Sequence, residues 1–256
     1  MIKSMIIAFS TYSRIPMPRV EWNEKSMKYS MCFFSLVGGV IGGINLLALY
    51  LLKELGTCND FFTSIVLTVL PVLITGGIHM DGFMDTMDAK NSYKPIEDKL
   101  KILKDPHSGA FAIIYSILYM LLYFGAMYEM VTKTDKITYI NVMFAFSFVF
   151  VRIMSGLSVV FLKKAKKDGM LYETSEAADK KVKWILALEL LVCVLLFVAF
   201  DIVFNVWAGT VVVCIGFISF VWYRHMAYKS FGGITGDLAG YFLQMTELFI
   251  LIGVAV

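Results

Sequence analysis

The run Gly76-Gly77-Ile78-His79-Met80-Asp81-Gly82-Phe83-Met84-Asp85-Thr86-Met87-Asp88 is the densest polar cluster in the 256-residue chain. Asp81, Asp85 and Asp88 are spaced i, i+4, i+7, which on an α-helix sets them at about 0°, 40° and −20°, a single narrow stripe. Three like charges on one stripe repel, so the helix gains nothing from them unless a cation sits there. Hard carboxylate oxygens in that arrangement suit Mg2+ or Mn2+, and His79 is close enough to join them or to orient a ligand. The plain alternative is a solvated acidic face at a helix end. The metal site is the better reading, because the stripe emerges directly from an apolar block and is rimmed by glycines.

A second cluster, Gly232-Gly233-Ile234-Thr235-Gly236-Asp237, opens the last apolar block. Glycines before a helix start leave backbone N–H groups free to meet phosphate oxygens, and the helix dipole favours Asp237 in the first turn. Alone, the cluster reads best as a capped helix start, with Thr235 or Asp237 as the cap. Beside the acidic stripe, Asp237 offers a carboxylate from a second helix and makes a shared metal site. Further along, Glu247 lies deep in an apolar block and must face the bundle interior, as partner of the similarly placed Arg152 or as part of the site. Lys104-Asp105-Pro106-His107-Ser108-Gly109 is a turn whose Lys104 and His107 are candidates for phosphate contact, although for Lys104 snorkelling at the membrane interface is the better reading. Arg14, in a turn-rich N-terminal stretch, is a candidate clamp for an anionic substrate or for lipid headgroups. The run Lys163-Lys164-Ala165-Lys166-Lys167 reads first as a membrane-surface anchor, with phosphate contact by one or two of its lysines as the sharper alternative. No GxSxG, P-loop or HExxH motif and no Rossmann glycine pattern occurs, so serine-nucleophile and ATP-hydrolysing chemistries have no support.

The elements that must position these groups follow from composition. Hydrophobic residues make up 59% of the chain and charged residues only 17%, where a soluble domain carries about 25% charged. The apolar residues fall in seven blocks, 31–52, 61–79, 110–131, 138–162, 183–203, 206–223 and 238–256, and about 20 apolar residues span a bilayer as a helix. The expected fold is all-α, a polytopic transmembrane helical bundle of about seven spans, with residues 1–256 forming one integral membrane domain. The fifth and sixth blocks are so close that they form a tight hairpin or one broken helix. With the N-terminus placed in the cytoplasm, 19 of the 23 Lys and Arg residues lie in inner segments, three (Lys53, Lys133 and Lys136) lie outside, and Arg152 is within a span. That asymmetry follows the positive-inside rule and turns every polar motif toward the cytoplasm. The net charge of +3 fits lipid contact and gives no reason to expect nucleic acid. Cys32, Cys58, Cys193 and Cys214 form no CxxC pair, so neither a zinc site nor a disulfide framework follows. The apolar run within 1–10 is too short for a span and lacks a small-residue cleavage site, so it is not read as a signal peptide.

Taken together, these segments resemble the adenosylcobinamide-GDP ribazoletransferases, or cobalamin synthases. The likeness covers most of the length. Its specific part is the His-x-Asp-Gly-x-x-Asp-x-x-Asp block at 79–88 beside Gly-Gly-x-Thr-Gly-Asp at 232–237. Supporting matches are the Thr-Tyr-Ser-Arg-Ile-Pro-Met-Pro stretch, the 33–42 segment, the 104–109 turn, Arg152 with Ser155-Gly156-Leu157, and Thr246-Glu247. Ala112 stands where the family pattern usually has Gly, and Ala239 falls at a variable position; neither removes an oxygen ligand. The resemblance implies a Mg2+-dependent enzyme of the cytoplasmic (inner) cell membrane. It would join adenosylcobinamide-GDP to α-ribazole or its 5′-phosphate, giving adenosylcobalamin or its 5′-phosphate and GMP in the last assembly stage of vitamin B12. It further implies attack by the ribazole 5′-hydroxyl, Asp81, Asp85, Asp88 and Asp237 as metal ligands, and His79, Asp81 and Asp237 as catalytic groups. Substrate contacts would come from Arg14, Lys104, His107, Thr235 and Gly236. The implied partners are the two small-molecule substrates and the lipid bilayer, with a homo-oligomer left open. A CDP-alcohol phosphotransferase uses similar metal logic, but Asp81-Gly82 is not followed by the Ala-Arg it needs. A transporter would be expected to show internal repeats or paired broken helices, and no convincing repeat is found.

Overall fold

The computed structural model describes residues 1–54, 56, 58–133 and 138–255, with the backbone alone at Glu54. Lys136, counted above among the outer basic residues, and Val256, the end of the last apolar block, lie outside the described residues. The described residues are almost entirely helical and contain no strand, only a single bridge between Lys164 and Ile234. Twelve α-helices follow in order: α1 (Ile2–Tyr12), α2 (Glu24–Met27), α3 (Phe34–Leu49), α4 (Asp60–Thr75), α5 (Ile78–Asn91), α6 (Ile96–Ile102), α7 (Ala110–Thr132), α8 (Tyr139–Phe161), α9 (Met170–Ala177), α10 (Val182–Phe204), α11 (Ala208–Phe231) and α12 (Gly236–Ala255).

Six helical stretches are long and apolar enough to cross a membrane: 24–53, which holds α3, and then α7, α8, α10, α11 and α12. The pair α4 and α5 makes a seventh if counted as one broken span, bent by 92°. The expected multi-pass bundle is therefore present, with six spans or up to seven. The difference lies in the second apolar block. Its helix stops at Thr75 because Gly76 and Gly77 both adopt left-handed backbone, with φ of 64° and 79°. Glycine enters that region without the steric cost other residues meet. Two such residues in succession turn the chain through the bend, so α5, with its three aspartates, leaves nearly at right angles to α4.

Lipid-facing and buried helices divide as expected for a bundle. Along α7, Ile113, Ile117, Leu121 and Leu122 are exposed, and along α10 so are Leu188, Leu191, Leu195 and Ile202. By contrast, α8 and α12 form the centre, where Phe148, Phe150, Tyr241, Phe242 and Leu251 are buried. Between them Arg152 donates from Nη1 to Glu247 Oε1 at 2.9 Å and to the Phe148 carbonyl at 3.0 Å. Both side chains are almost wholly buried, so each charge needs the other to stay out of water. The fifth and sixth blocks form a helical hairpin rather than one broken helix. Asn205 turns left-handed with φ of 52°, and Asp201 accepts from the Gly209 and Thr210 backbone N–H groups at 2.8 and 2.6 Å, capping the start of α11 from the end of α10. Beyond its apolar block α11 continues to Phe231, so Arg224 and Lys229 sit on a helix extension rather than in a loop.

Candidate functional site

The two motifs meet where α5 crosses the start of α12. The crossing is close because each helix presents a glycine. A Cβ on Gly82 would lie 2.8 Å from the Asp237 carbonyl oxygen, and one on Gly240 would lie 2.9 Å from the His79 carbonyl oxygen. Side chains at either place would push the helices apart, so glycine here sets the distance between Asp81 and Asp237. A cavity of about 350 Å³ opens beside the crossing. Its polar lining includes His79, Asp81, Lys104, Lys166, Thr235 and Asp237, and its apolar wall includes Tyr12, Met31, Phe34, Val159 and Leu243. The beginnings of α3 and α12 and the end of α8 all reach it, so it lies at one end of the bundle.

The acidic stripe is continuous in helical form, but its members do different things. Asp81 faces the cavity, and its side chain has no hydrogen bond or ion pair among the described residues. Asp85, one turn on, is half-buried. Burial first, and then the charges of Asp81, Asp237 and Asp88, push its carboxyl up to about 7. Asp88 turns to α7, where its two oxygens accept from the Gly109 N–H at 2.5 Å and the Ala112 N–H at 2.9 Å. It thus caps a helix that begins 22 residues later in the chain. The alanine at 112 is no obstacle, because only its backbone is used. On the other helix, Thr235 is the capping residue: its Oγ1 accepts from the Leu238 N–H at 3.3 Å and also lies 3.3 Å from Asp237 Oδ2. Asp237 is therefore not needed as the cap.

His79 is 4% exposed, stacked on Tyr12 with centroids 6.0 Å apart and edge-on to Phe34 at 5.9 Å. Its Nε2 has no partner among the described residues, although it borders the cavity. An unpartnered buried polar atom is costly and points to a ligand or solvent group that completes it. Phe34 also carries the Arg152 guanidinium over its ring at 5.8 Å, so the buried ion pair braces the wall that holds the imidazole.

The basic groups are placed less evenly than their sequence suggests. Lys104 lines the cavity and pairs with Asp168 at 2.8 Å. Of the four lysines between 163 and 167, Lys166 alone reaches the cavity wall. Arg14 lies outside that wall. Its N–H donates to the Ile74 carbonyl at 2.7 Å and its side chain packs on Gly76, against the bend. His107 is also outside, largely exposed and hydrogen-bonded to Asp105 at 2.8 Å. Sequence reasoning missed the cradle of Tyr12 and Phe34 and could not single out Lys166. A lysine run looks the same whether one member or none faces a site.

The donor set suits Mg2+. Among the described residues no three or more His, Cys, Asp or Glu side chains already enclose a point at metal-holding distance. Mg2+ does not require that: it keeps several waters and takes one or two carboxylates together with substrate phosphates. Asp81, Asp85 and Asp237 offer hard oxygens with a deficit of positive charge between them.

Fold and site together define a polytopic membrane protein with an acidic cavity at one end of its helical bundle, cut between two glycine-notched helices. Comparison with known proteins narrows that class. The cobalamin-5-phosphate synthase family matches residues 4–255, and the chain belongs to that family. It is 41% identical to the adenosylcobinamide-GDP ribazoletransferase of Lachnoclostridium phytofermentans, over 96% of this chain and 91% of the relative. It is 30% identical to the protein of that name from Clostridium perfringens, over 98% of each chain, and 30% identical to one from a Geobacillus species, over 91% and 87%. No solved structure gives a significant match.

Proposed function

We propose that the chain is a Mg2+-dependent adenosylcobinamide-GDP ribazoletransferase, transferring the cobinamide-bound phosphoryl group to α-ribazole or its 5′-phosphate with release of GMP. Membership of the cobalamin-5-phosphate synthase family supports the activity. The observation that carries the site is the crossing at Gly82 and Gly240, which sets Asp81 and Asp237 on one cavity with the free His79 Nε2 beside them. The family's name bears on the acceptor. A product that keeps a 5-phosphate cannot have been joined through that same oxygen, so the attacking group is another ribose hydroxyl. This replaces the 5′-hydroxyl of the sequence reading.

In the transfer, the acceptor oxygen forms a bond to the phosphorus that stays with cobinamide. The bond from that phosphorus to the bridging oxygen breaks, and its electron pair leaves with GMP. Such a reaction needs positioning and charge neutralisation more than covalent catalysis. Bound between Asp81, Asp85 and Asp237, Mg2+ would supply neutralisation of the diphosphate. His79 Nε2, held in orientation by the rings of Tyr12 and Phe34, accepts a hydrogen bond from the attacking hydroxyl. Burial and the Arg152 charge push its imidazole down to about 3, so the proton passes on to the Asp237 carboxylate, which burial pushes up. Thr235 keeps Asp237 turned toward the cavity. Asp88 fixes α5 against α7 and so sets the rotation of the stripe.

Purified protein given adenosylcobinamide-GDP, α-ribazole and Mg2+ is expected to release GMP, to stop with EDTA and to resume with added Mg2+. A complete mixture that yields no GMP would overturn the reading. We also assign the protein to the cytoplasmic membrane with the cavity open to the cytoplasm, on the strength of the basic-residue count. With the native cysteines replaced, a membrane-impermeant maleimide added to whole cells is expected to label Cys58 when it alone is restored, but not Lys94→Cys. The reverse pattern rejects the orientation.

A further inference from the structure

Beside the cavity lies a second, shallower depression of about 390 Å³. The two share Lys104, Lys166 and Asp168, which form the ridge between them, and the outer groove adds Leu100, Lys101 and Lys167. Its acids are few: Asp168 is paired with Lys104, and Glu97 lies at the margin. Lys101 has its own partner, Asp98, at 2.7 Å. Lys166 and Lys167 have no carboxylate at ion-pair distance among the described residues. One side of the ridge is therefore acidic, with Asp81 and Asp237, and the other is basic.

The segment carrying these lysines is strapped in place. The Ile234 N–H donates to the Lys163 carbonyl and the Ala165 N–H donates to the Ile234 carbonyl, both at 2.9 Å, while the Lys163 N–H donates to Tyr228 Oη at 2.8 Å. A Cβ on Gly233 would meet the backbone of 163–165 at 2.6–2.7 Å. Lys166 thus sits one residue beyond a segment bonded directly to the loop that leads into the first turn of α12, which bears Asp237. Lysines that only mark the inner side of a membrane need no such attachment.

We propose that this basic groove is the subsite for the nucleoside monophosphate leaving group, the GMP half of the diphosphate substrate, with Lys166 on the ridge beside the breaking bond. The proposal rests on the transferase reading above and assigns the two halves of the substrate to two sides of one ridge. When the phosphorus–oxygen bond breaks, the electron pair stays on the phosphate oxygen of GMP and negative charge grows there. Carboxylates on the cavity side repel that charge, and ammonium groups on the groove side attract it. Volume points the same way. A cavity of about 350 Å³ is at the small end of the range for a single bound group, and the nucleotide needs space elsewhere.

The test is calorimetric binding of GMP to the purified protein, with product inhibition by GMP measured alongside. In the double variant Lys166→Ala/Lys167→Ala, GMP is expected to bind about tenfold more weakly, and KM for adenosylcobinamide-GDP to rise by a similar factor. KM for α-ribazole stays unchanged, and Lys166→Arg with Lys167 intact recovers most of the GMP affinity. Unchanged GMP affinity, or an equal loss for both substrates, rejects the groove. Anionic lipid headgroups offer the same phosphate chemistry. If phosphatidylglycerol stabilises the wild type in detergent but not the double variant, while GMP affinity stays the same, the groove is a lipid site and the proposal fails. A wild-type protein that binds GMP through these lysines yet releases none from the substrate pair would sink the transferase reading and leave the nucleotide site standing.

Discussion

Asp81→Asn is expected to fold and insert normally and to lose GMP release by ~10²-fold or more, the scale of a lost catalytic carboxylate. The expectation of normal folding comes from the environment of the side chain. The Asp81 side chain borders the cavity and makes no hydrogen bond or ion pair among the described residues, so Asn deprives the fold of nothing. Removing one negative charge also relieves repulsion, since Asp81 is among the groups that hold the Asp85 carboxyl at about 7. The same crowding gives a pH signature. Below pH 7 Asp85 tends to keep its proton, and a cation entering the cluster must displace it. Apparent Mg2+ affinity in the wild type should therefore strengthen about tenfold between pH 6 and pH 8, as expected for one proton lost near pH 7. In Asp81→Asn one of the charges that raise the Asp85 carboxyl is gone while burial, the larger cause, remains, so that pH dependence weakens without vanishing. Calorimetric Mg2+ titrations at the two pH values read this without turnover. Near-normal GMP release at saturating Mg2+ would remove Asp81 from the metal site, and an unchanged pH profile would remove its coupling to Asp85.

What could be read from the sequence follows from which forces are local. Blocks of apolar residues announce the spans because every residue that faces lipid must be apolar over its own length, so α7, α8, α10 and α12 fall close to the expected limits. The period of the acidic stripe is likewise local, and α5 is helical through all three aspartates. Contacts between distant segments were not legible. Asp88 belongs to the stripe by spacing, yet it reaches α7, because the unpaired N–H groups of Gly109 and Ala112 lie within its range only after folding. Asp201 sits in an apolar block and gave no sign that it would cap the next helix. Arg14 looked like an anion clamp by type, but the bend at Gly76 gives it a packing role. The Arg152–Glu247 pair is an intermediate case. Two charges buried in apolar blocks demand partners, so the pairing could be anticipated, whereas its contact with Phe34 and hence with the His79 cradle could not.

Asp237→Asn is the sharper test of a site built from two helices. In the sequence, Asp237 could have been a helix cap, and a cap carboxylate is replaced by Asn with little loss because Asn caps about as well as Asp. The structure gives that task to Thr235, whose Oγ1 accepts from the Leu238 N–H. Thr235→Ala should therefore lower the stability of the start of α12 by about 1 kcal/mol, visible as a lower Tm in detergent. Asp237→Asn should leave Tm nearly unchanged. The change also keeps the side-chain shape and the Thr235 contact at 3.3 Å, so what it removes is charge. If Asp237 holds Mg2+ opposite Asp81, transfer falls by ~10²-fold or more, and added Mg2+ restores part of it because the remaining carboxylates still bind the cation more weakly. Ala at the same position would be less informative, since it removes shape, hydrogen bond and charge together. Wild-type transfer rates in Asp237→Asn, with unchanged Mg2+ dependence, would leave the close approach at Gly82 and Gly240 without a catalytic purpose and confine the metal chemistry to α5 alone.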